Sequence, residues 1–371
     1  MIIRNALVFQ ESSSFAKEDI YIKDDRIAAT SASSETDIID AEGLYAIPGL
    51  TDIHLHGCVG YDFCDGTFEA VQAIADYESS QGITSIAPAT MTLGYEELTK
   101  IFKNAASYES QQGASLVGIN MEGPYLSYEK KGAQNGAYLK HPDIEHYKTM
   151  QMLSNGLIKL VAIAPEEEGS MEFIRAIKDE VVVSVAHTTA DYDTATEAFQ
   201  SGASNVTHLY NAMPAFTHRA PGVVGAAMDA EHVKVELICD GVHIAPSVVR
   251  ATFKMFGDDR IILVSDSMMA TGLKEGEYSL GGQKVFVTGN KATLIDGTIA
   301  GSTTNLMACM TTAVSMGIPL ESAVKCAAVN PAKQIGIYDQ YGSITPGKYA
   351  NIVLLNRDLS INRIILRGKV I

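Results

Sequence analysis

His54 and His56 stand one residue apart at the end of the run Ile47-Pro48-Gly49-Leu50-Thr51-Asp52-Ile53-His54-Leu55-His56. The run begins apolar, as a buried strand does, and residues i and i+2 of a strand point the same way. Both imidazoles therefore leave one strand towards one point, an arrangement that suits a metal ion better than an apolar core. Further imidazoles and carboxylates close later apolar runs: Glu122, His187, His208, His243 and Asp266. A divalent cation needs nitrogen or oxygen ligands converging from rigid elements, and a hydrolytic one keeps a position for water. Glu122, His187 and His208 supply two imidazoles and a carboxylate, a hydrolytic zinc set. His54 and His56 complete a second site if Glu122 bridges. The pattern predicts a metal-dependent hydrolase with one or two divalent ions per subunit, and zinc and iron both accept these ligands. One histidine at a strand end is more often structural, but five imidazoles and two carboxylates at successive strand ends are hard to explain as packing. His141, His146, His218 and His232 lie in helical or loop text and read as surface residues or supports.

These residues need a scaffold that brings strand ends together. Apolar runs fall at Leu50–Ile53, Ile83–Ala87, Leu116–Met121, Ile158–Ala164, Val181–Ala186, Asn205–Thr207, Val233–Cys239 and Arg260–Val264. Helical stretches follow most of them, at Phe68–Ser80, Tyr95–Ser110, Met171–Lys178, Tyr192–Gln200 and Ser247–Phe256; the one after the sixth run is weak. Eight such units predict an α/β chain folded as a (β/α)8 TIM-like barrel, whose C-terminal strand ends carry the chemistry. A doubly wound open sheet competes with it, but no glycine-rich phosphate fingerprint follows any of these strands. Residues 273–300 read as a β-hairpin insertion, before helices at Thr304–Met316 and Leu320–Ala328.

The first residues differ in texture. Short β runs at Ile2–Phe9, Asp19–Ile22, Arg26–Thr30, Asp37–Asp40 and Leu44–Ile47 are separated by the turn-like clusters Glu11–Ser14, Lys23–Asp25 and Ser31–Thr36. The same texture returns at Asn351–Leu355 and Ile361–Leu366. Residues 1–48 and 346–371 are thus predicted to form a small β-sandwich domain from both termini, leaving 49–345 as the catalytic domain.

Composition narrows the partners. With 371 residues and a net charge of −16, the chain has no basic excess to neutralise phosphates, which argues against nucleic-acid and acidic-membrane binding. One phosphorylated small molecule needs only a few local donors and is not excluded. No signal peptide or membrane-length apolar run is visible, and the five cysteines form no Cys-x-x-Cys pair. A cytoplasmic, reduced protein is expected, with Cys58 and Cys64 as bystanders beside the histidine pair.

With these residues in view, the chain resembles the amidohydrolase superfamily through Asp40-Ala41-Glu42-Gly43 and the Pro48-Gly49 to His56 signature. Met121-Glu122-Gly123-Pro124-Tyr125, Ala186-His187-Thr188 and above all Thr207-His208-Leu209-Tyr210-Asn211-Ala212-Met213 narrow the resemblance to its sugar-phosphate deacetylases. Asp240-Gly241-Val242-His243, Val264-Ser265-Asp266 and Ala300-Gly301-Ser302 follow in order, so nearly the whole length is covered. The resemblance implies hydrolysis of the acetamide of N-acetyl-D-glucosamine 6-phosphate in amino-sugar catabolism, with the galactosamine epimer as the alternative. It assigns metal binding to Glu122, His187 and His208, and the general base and acid to Asp266. Asn211, Ala212, Arg219 and His243 would hold the sugar phosphate, with Ala133, Ile299, Ala300, Gly301 and Ser302 lining the sugar pocket. It also implies a homodimer, in which Arg250 would reach a neighbouring site. One departure stands out: after Lys131-Gly132-Ala133 comes Gln134, where some members carry a carbonyl-polarising histidine. A second cation at His54 and His56 would compensate. Cyclic-amide hydrolases of the superfamily bridge their metals with a carboxylated lysine, a role Glu122 fills here. A non-catalytic scaffold would have a broken ligand set, and this one is complete.

Overall fold

The computed structural model describes residues 1–30, 37–109 and 112–371; the expected Ser31–Thr36 turn and the Ser110 end of the second helix lie outside them. Strands β1 (Ile2–Phe9), β2 (Phe15–Lys23), β3 (Arg26–Ala28), β4 (Ile38–Asp40) and β5 (Tyr45–Pro48) open the chain. β6 (Leu50–Asp52) follows, then a two-residue hairpin of β7 (Gly57–Cys58) and β8 (Tyr61–Asp62). Strands β9 (Ile83–Ile86), β10 (Ser115–Leu116), β11 (Ile119–Met121), β12 (Ile158–Ile163), β13 (Val182–Val185), β14 (Asn205–Val206), β15 (Lys234–Leu237) and β16 (Ile261–Leu263) alternate with helices.

All of β6 and β9 to β16 pair in parallel, in the orders β10-β9-β6 and β11-β12-β13-β14-β15-β16. Neighbours in sequence are neighbours in space, so the strand order never reverses and the doubly wound alternative is ruled out. The expected third run divides at Val117-Gly118. A Cβ on Gly118 would lie 2.5 Å from Lys159 Cγ, so the chain approaches its neighbour there too closely for a side chain. β10 continues β9 on one side of this break and β11 starts the six-stranded sheet on the other. The two outer ends are also tied: the Asp266 N–H, beyond β16, donates to His54 O, beyond β6, at 2.8 Å. The result is an α/β fold of TIM-barrel type built on a curled parallel sheet.

The helices are α1 (Phe68–Ser80), α2 (Tyr95–Ser107), α3 (Ile144–Leu153), α4 (Ser170–Ile177), α5 (Tyr192–Ser201), α6 (Gly222–Asp229), α7 (Pro246–Phe256), α8 (Leu306–Ser315), α9 (Leu320–Val324) and α10 (Asn330–Gln334). Side-chain caps fix several starts: Thr67 accepts the Ala70 N–H, Asp191 that of Thr194 and Asn305 that of Ala308. α3 lies between the third and fourth runs, where no helix was expected, with Asp143 as its cap. The insertion after β16 is a three-stranded antiparallel sheet of β17 (Gly276–Leu280), β18 (Gln283–Thr288) and β19 (Lys291–Thr293), one strand more than the hairpin expected.

Both termini share one sheet. β20 (Ile352–Leu355), β21 (Ile361–Leu366) and β22 (Lys369–Val370) complete it in the order β22-β21-β20-β5-β1-β2-β3, with β4 on β1. Alternate residues of β20 serve different cores: Ile352 and Leu354 pack with Ile3, Val8 and Ile20, while Val353 and Leu355 join the main core with Ile47. Among the described residues no helix is long and apolar enough to cross a membrane.

Candidate metal centre

Each expected ligand sits where the chain leaves a parallel strand: Glu122 after β11, His187 after β13, His208 after β14 and Asp266 after β16. β6 ends at Asp52, so His54 and His56 converge from the segment just beyond it and not from the strand itself. Their ring centroids are 5.5 Å apart. His187, His208 and Asp266 take φ of +42°, +30° and +49°. Left-handed backbone is strained for residues with a Cβ, and such strain collects at functional sites. Gly123 has φ +91°, and a Cβ there would lie 2.1 Å from Thr92 Oγ1, so only glycine fits after Glu122.

The side chains form two groups. Glu122, His187 and His208 make one; His54, His56 and Asp266 make the other; within each, one donor atom per residue lies within 4.8 Å of the rest. Glu122 touches both. Its Oε1 is 3.1 Å from His187 Nε2, 3.4 Å from His208 Nε2 and 3.6 Å from His54 Nε2, and its Oε2 is 3.3 Å from His56 Nε2. Asp266 Oδ1 is 3.2 Å from His56 Nε2 and 3.7 Å from His54 Nε2. All six are buried.

These contacts fit a cation. His187 Nδ1 lies 2.8 Å from Lys130 O, and a carbonyl only accepts, so Nδ1 carries the hydrogen. In the neutral ring Nε2 then bears the lone pair, yet it faces Glu122 Oε1 and, at 3.1 Å, His208 Nε2. A positive centre resolves that crowding of acceptors. His54 Nε2 is buried with no hydrogen-bond partner among the described residues. Burial alone would push the His54 and His56 imidazoles down, but the surrounding carboxylates outweigh it. They hold His54 well above its ordinary range and His56 at about 10. Burial works against the charged forms of Glu122 and Asp266 as well, but the imidazoles hold both carboxyls below their usual range. That concentration of negative field is what a divalent ion would meet.

A cavity of about 500 Å³ opens over the groups. His56, Glu122, His187, His208 and Asp266 face it, and so do the expected pocket residues Ala133, Asn211, Ala212, His243, Ile299 and Gly301. His243 Nδ1 is 2.8 Å from Asp240 Oδ2, which fixes its ring. Burial would lower the His243 imidazole, but Asp240 holds it above its ordinary value. Three expected pocket residues lie off the wall. Ala300 is buried among Met91, Ala133 and Met268. Ser302 is buried and works on Asp266 instead, its N–H donating to Asp266 O at 2.7 Å and its hydroxyl to Ser265 O at 2.6 Å. Arg219 is exposed on the loop before α6. Arg250 is tied to its own chain, donating to Met316 O at 2.9 Å. Cys64 Sγ accepts the Met91 N–H at 3.2 Å, and neither Cys64 nor the buried Cys58 belongs to either group of ligand atoms.

Reading residues in chain order missed two supports. Gln134, singled out in the sequence only as a departure, donates from Nε2 to Glu122 Oε2 at 2.9 Å, a contact its position in the sequence does not announce. Glu236 is fully buried in β15 and lies 2.9 Å from His54 Nδ1; an acid inside the apolar run Val233–Cys239 was the available signal.

Comparison with known proteins agrees with this geometry. The amidohydrolase family profile matches residues 45–371. The chain is 35% identical to N-acetylglucosamine-6-phosphate deacetylase of Bacillus subtilis (strain 168), over 100% of this chain and 96% of that one. It is 31% identical to N-acetylgalactosamine-6-phosphate deacetylase of Escherichia coli O157:H7, over 89% and 88%. Among solved structures it superposes on N-acetyl-D-glucosamine-6-phosphate deacetylase from Mycobacterium smegmatis with a TM-score of 0.92 and 30% identity, covering 100% of both chains.

Proposed function

The chain belongs to the amidohydrolase family, and from that premise we propose that it hydrolyses the acetamide of N-acetyl-D-glucosamine 6-phosphate to D-glucosamine 6-phosphate and acetate. One observation carries this reading: Glu122 lies between two ligand groups on the floor of a cavity that also presents Asp266. Glu122, His187 and His208 would hold one divalent ion, zinc or iron, and His54, His56 and Asp266 a second. Such a cation lowers the pKa of water to about 7 and polarises a carbonyl. Asp266 takes the proton of the attacking water and returns it to the departing amine, since one carboxylate can serve as base and then acid. Met91, Ala133 and Leu280 form an apolar wall against which the acetyl methyl is held out of water. His243 and Asn211 meet the phosphate end.

Arg219, exposed on the loop before α6, would meet the phosphate from that loop or, in a homodimer, from a second copy. We read the curled sheet as a closed (β/α)8 barrel over 49–345. Residues 1–48 and 346–371 would form the β-sandwich beside it by their one shared sheet folding over its own core of Ile3, Val8, Ile20, Ile352 and Leu354, in a cytoplasmic enzyme.

Acetate release from N-acetylglucosamine 6-phosphate, its galactosamine epimer and unphosphorylated N-acetylglucosamine tests the reading. Turnover of the first well above the other two is expected, and Arg219→Ala should raise KM for the phosphorylated sugar without changing kcat. Equal cleavage of the unphosphorylated sugar would end the substrate assignment, and faster cleavage of the epimer would transfer it.

A further inference from the structure

Beneath the ligands, a small polar cluster of Glu236, Asn205 and Ser184 lies beside apolar side chains such as Ile262 on the neighbouring strand. Glu236 sits in the middle of β15 with no exposed surface. Its Oε2 is 2.9 Å from His54 Nδ1 and accepts the His208 main-chain N–H at 3.3 Å. Its Oε1 accepts from Asn205 Nδ2 at 2.8 Å. That amide also reaches Ser184 Oγ at 2.9 Å, and Ser184 pairs with Thr207 at 2.6 Å. A carboxyl buried in a strand is costly unless donors surround it, and here three do.

The direction of these bonds matters. A main-chain N–H and an amide N–H only donate, so Glu236 acts as the acceptor, and accepting from the third partner leaves the His54 hydrogen on Nδ1. In the neutral ring, the form that binds a cation, the lone pair of His54 then lies on Nε2, the atom that faces Glu122 and Asp266. His54 and His208 belong to different ligand groups, and one carboxyl holds both.

We propose that Glu236 is a positioning residue for both cation sites: it fixes the tautomer of His54 and the main chain at His208. This rests on reading the two groups as cation sites. Loss of its acceptor oxygens acts through His54 on the His54–His56–Asp266 site most strongly, because there it governs a ligand's ring, whereas at His208 it holds only backbone. Partners of this kind typically change metal affinity by about 10- to 100-fold.

The test is cobalt(II) titration of chelator-stripped wild-type and Glu236→Gln protein, followed by visible absorption and elemental analysis. Glutamine keeps the volume but places an amide NH2 among donors. We expect one of the two equivalents to bind about 10- to 100-fold more weakly with an altered cobalt spectrum. The unfolding temperature of the cation-free forms reports any purely structural loss. Unchanged affinity for both equivalents with an unchanged spectrum overturns the proposal, as does a wild-type protein that binds no cation. Should Glu236→Gln fail to fold, ring 15N shifts of His54 in the zinc-loaded wild type decide: hydrogen on Nδ1 supports the proposal, hydrogen on Nε2 overturns it. A wild-type protein that binds two equivalents but releases no acetate would sink the deacetylase reading alone.

Discussion

Gln134 clamps Glu122 to the wall of the site: its Nε2 donates to Glu122 Oε2 at 2.9 Å while its Oε1 accepts the Thr92 N–H at 2.6 Å. A neutral amide holds the carboxylate between two imidazole groups without adding a proton or a charge. Gln134→Leu keeps the bulk and removes both bonds. A hydrogen bond to a charged group contributes about 1.5–3 kcal/mol, so kcat/KM should fall about 10- to 100-fold in steady-state assays. Unchanged kinetics would show that Glu122 keeps its place unaided.

In the proposed reaction, Asp266→Asn removes the group that accepts and returns the proton while keeping its shape. Turnover should drop by about 10²- to 10⁴-fold, with the circular dichroism spectrum and unfolding temperature close to wild type. Retained turnover would transfer the base role to another residue.

Metal content separates one cation from two. Elemental analysis of freshly purified protein should give two equivalents per chain, and His54→Asn should keep one and lose most activity. One equivalent in the wild type, with full activity in His54→Asn, would remove the second site. Chelation should also lower stability, since a ligand at 100 times its Kd contributes about 2.7 kcal/mol to the folded state.

His146 gives a pH prediction away from the metal centre. Burial and the neighbouring Lys140 lower its imidazole, while Asp143 opposes them. Its Nδ1 lies 2.7 Å from the Tyr125 hydroxyl, and the Tyr95 and Tyr125 rings flank it. As pH falls through about 6.5, the ordinary value for histidine, the unfolded chain takes up a proton that the folded chain refuses. Stability present above that pH is therefore lost below it. His146→Phe should thus gain stability relative to wild type in urea unfolding at pH 5.5 compared with pH 7.5. An equal difference at both pH values would refute the assignment.

The clustering of Glu122, His187, His208 and Asp266 was legible because each follows an apolar run, whereas His54 and His56 lie beyond the end of β6, which the apolar run did not disclose. What escaped depends on partners distant in sequence. The amide of Gln134 has meaning only once Glu122 and Thr92 are folded against it. Glu236 reads as an oddity in a strand until His54, far earlier in the chain, meets its oxygen. Arg219 carries the right chemistry for a phosphate but sits exposed on the loop before α6 and not in the cavity wall, which spacing could not disclose. The division of the third strand at Gly118 is likewise set by Lys159 on the neighbouring strand. α3 escaped because no apolar stripe marks it strongly, and its Asp143 cap resembles any loop aspartate.

β5 pairs with β20, setting Ile47 against Val353 across about three hundred residues of chain. A ribosome delivering this polypeptide releases the opening strands long before their closing partners exist. Until the last strands emerge, those first strands present unpaired edges to their surroundings. Truncation near the C-terminus would therefore harm the earliest-made part of the molecule while sparing every catalytic side chain.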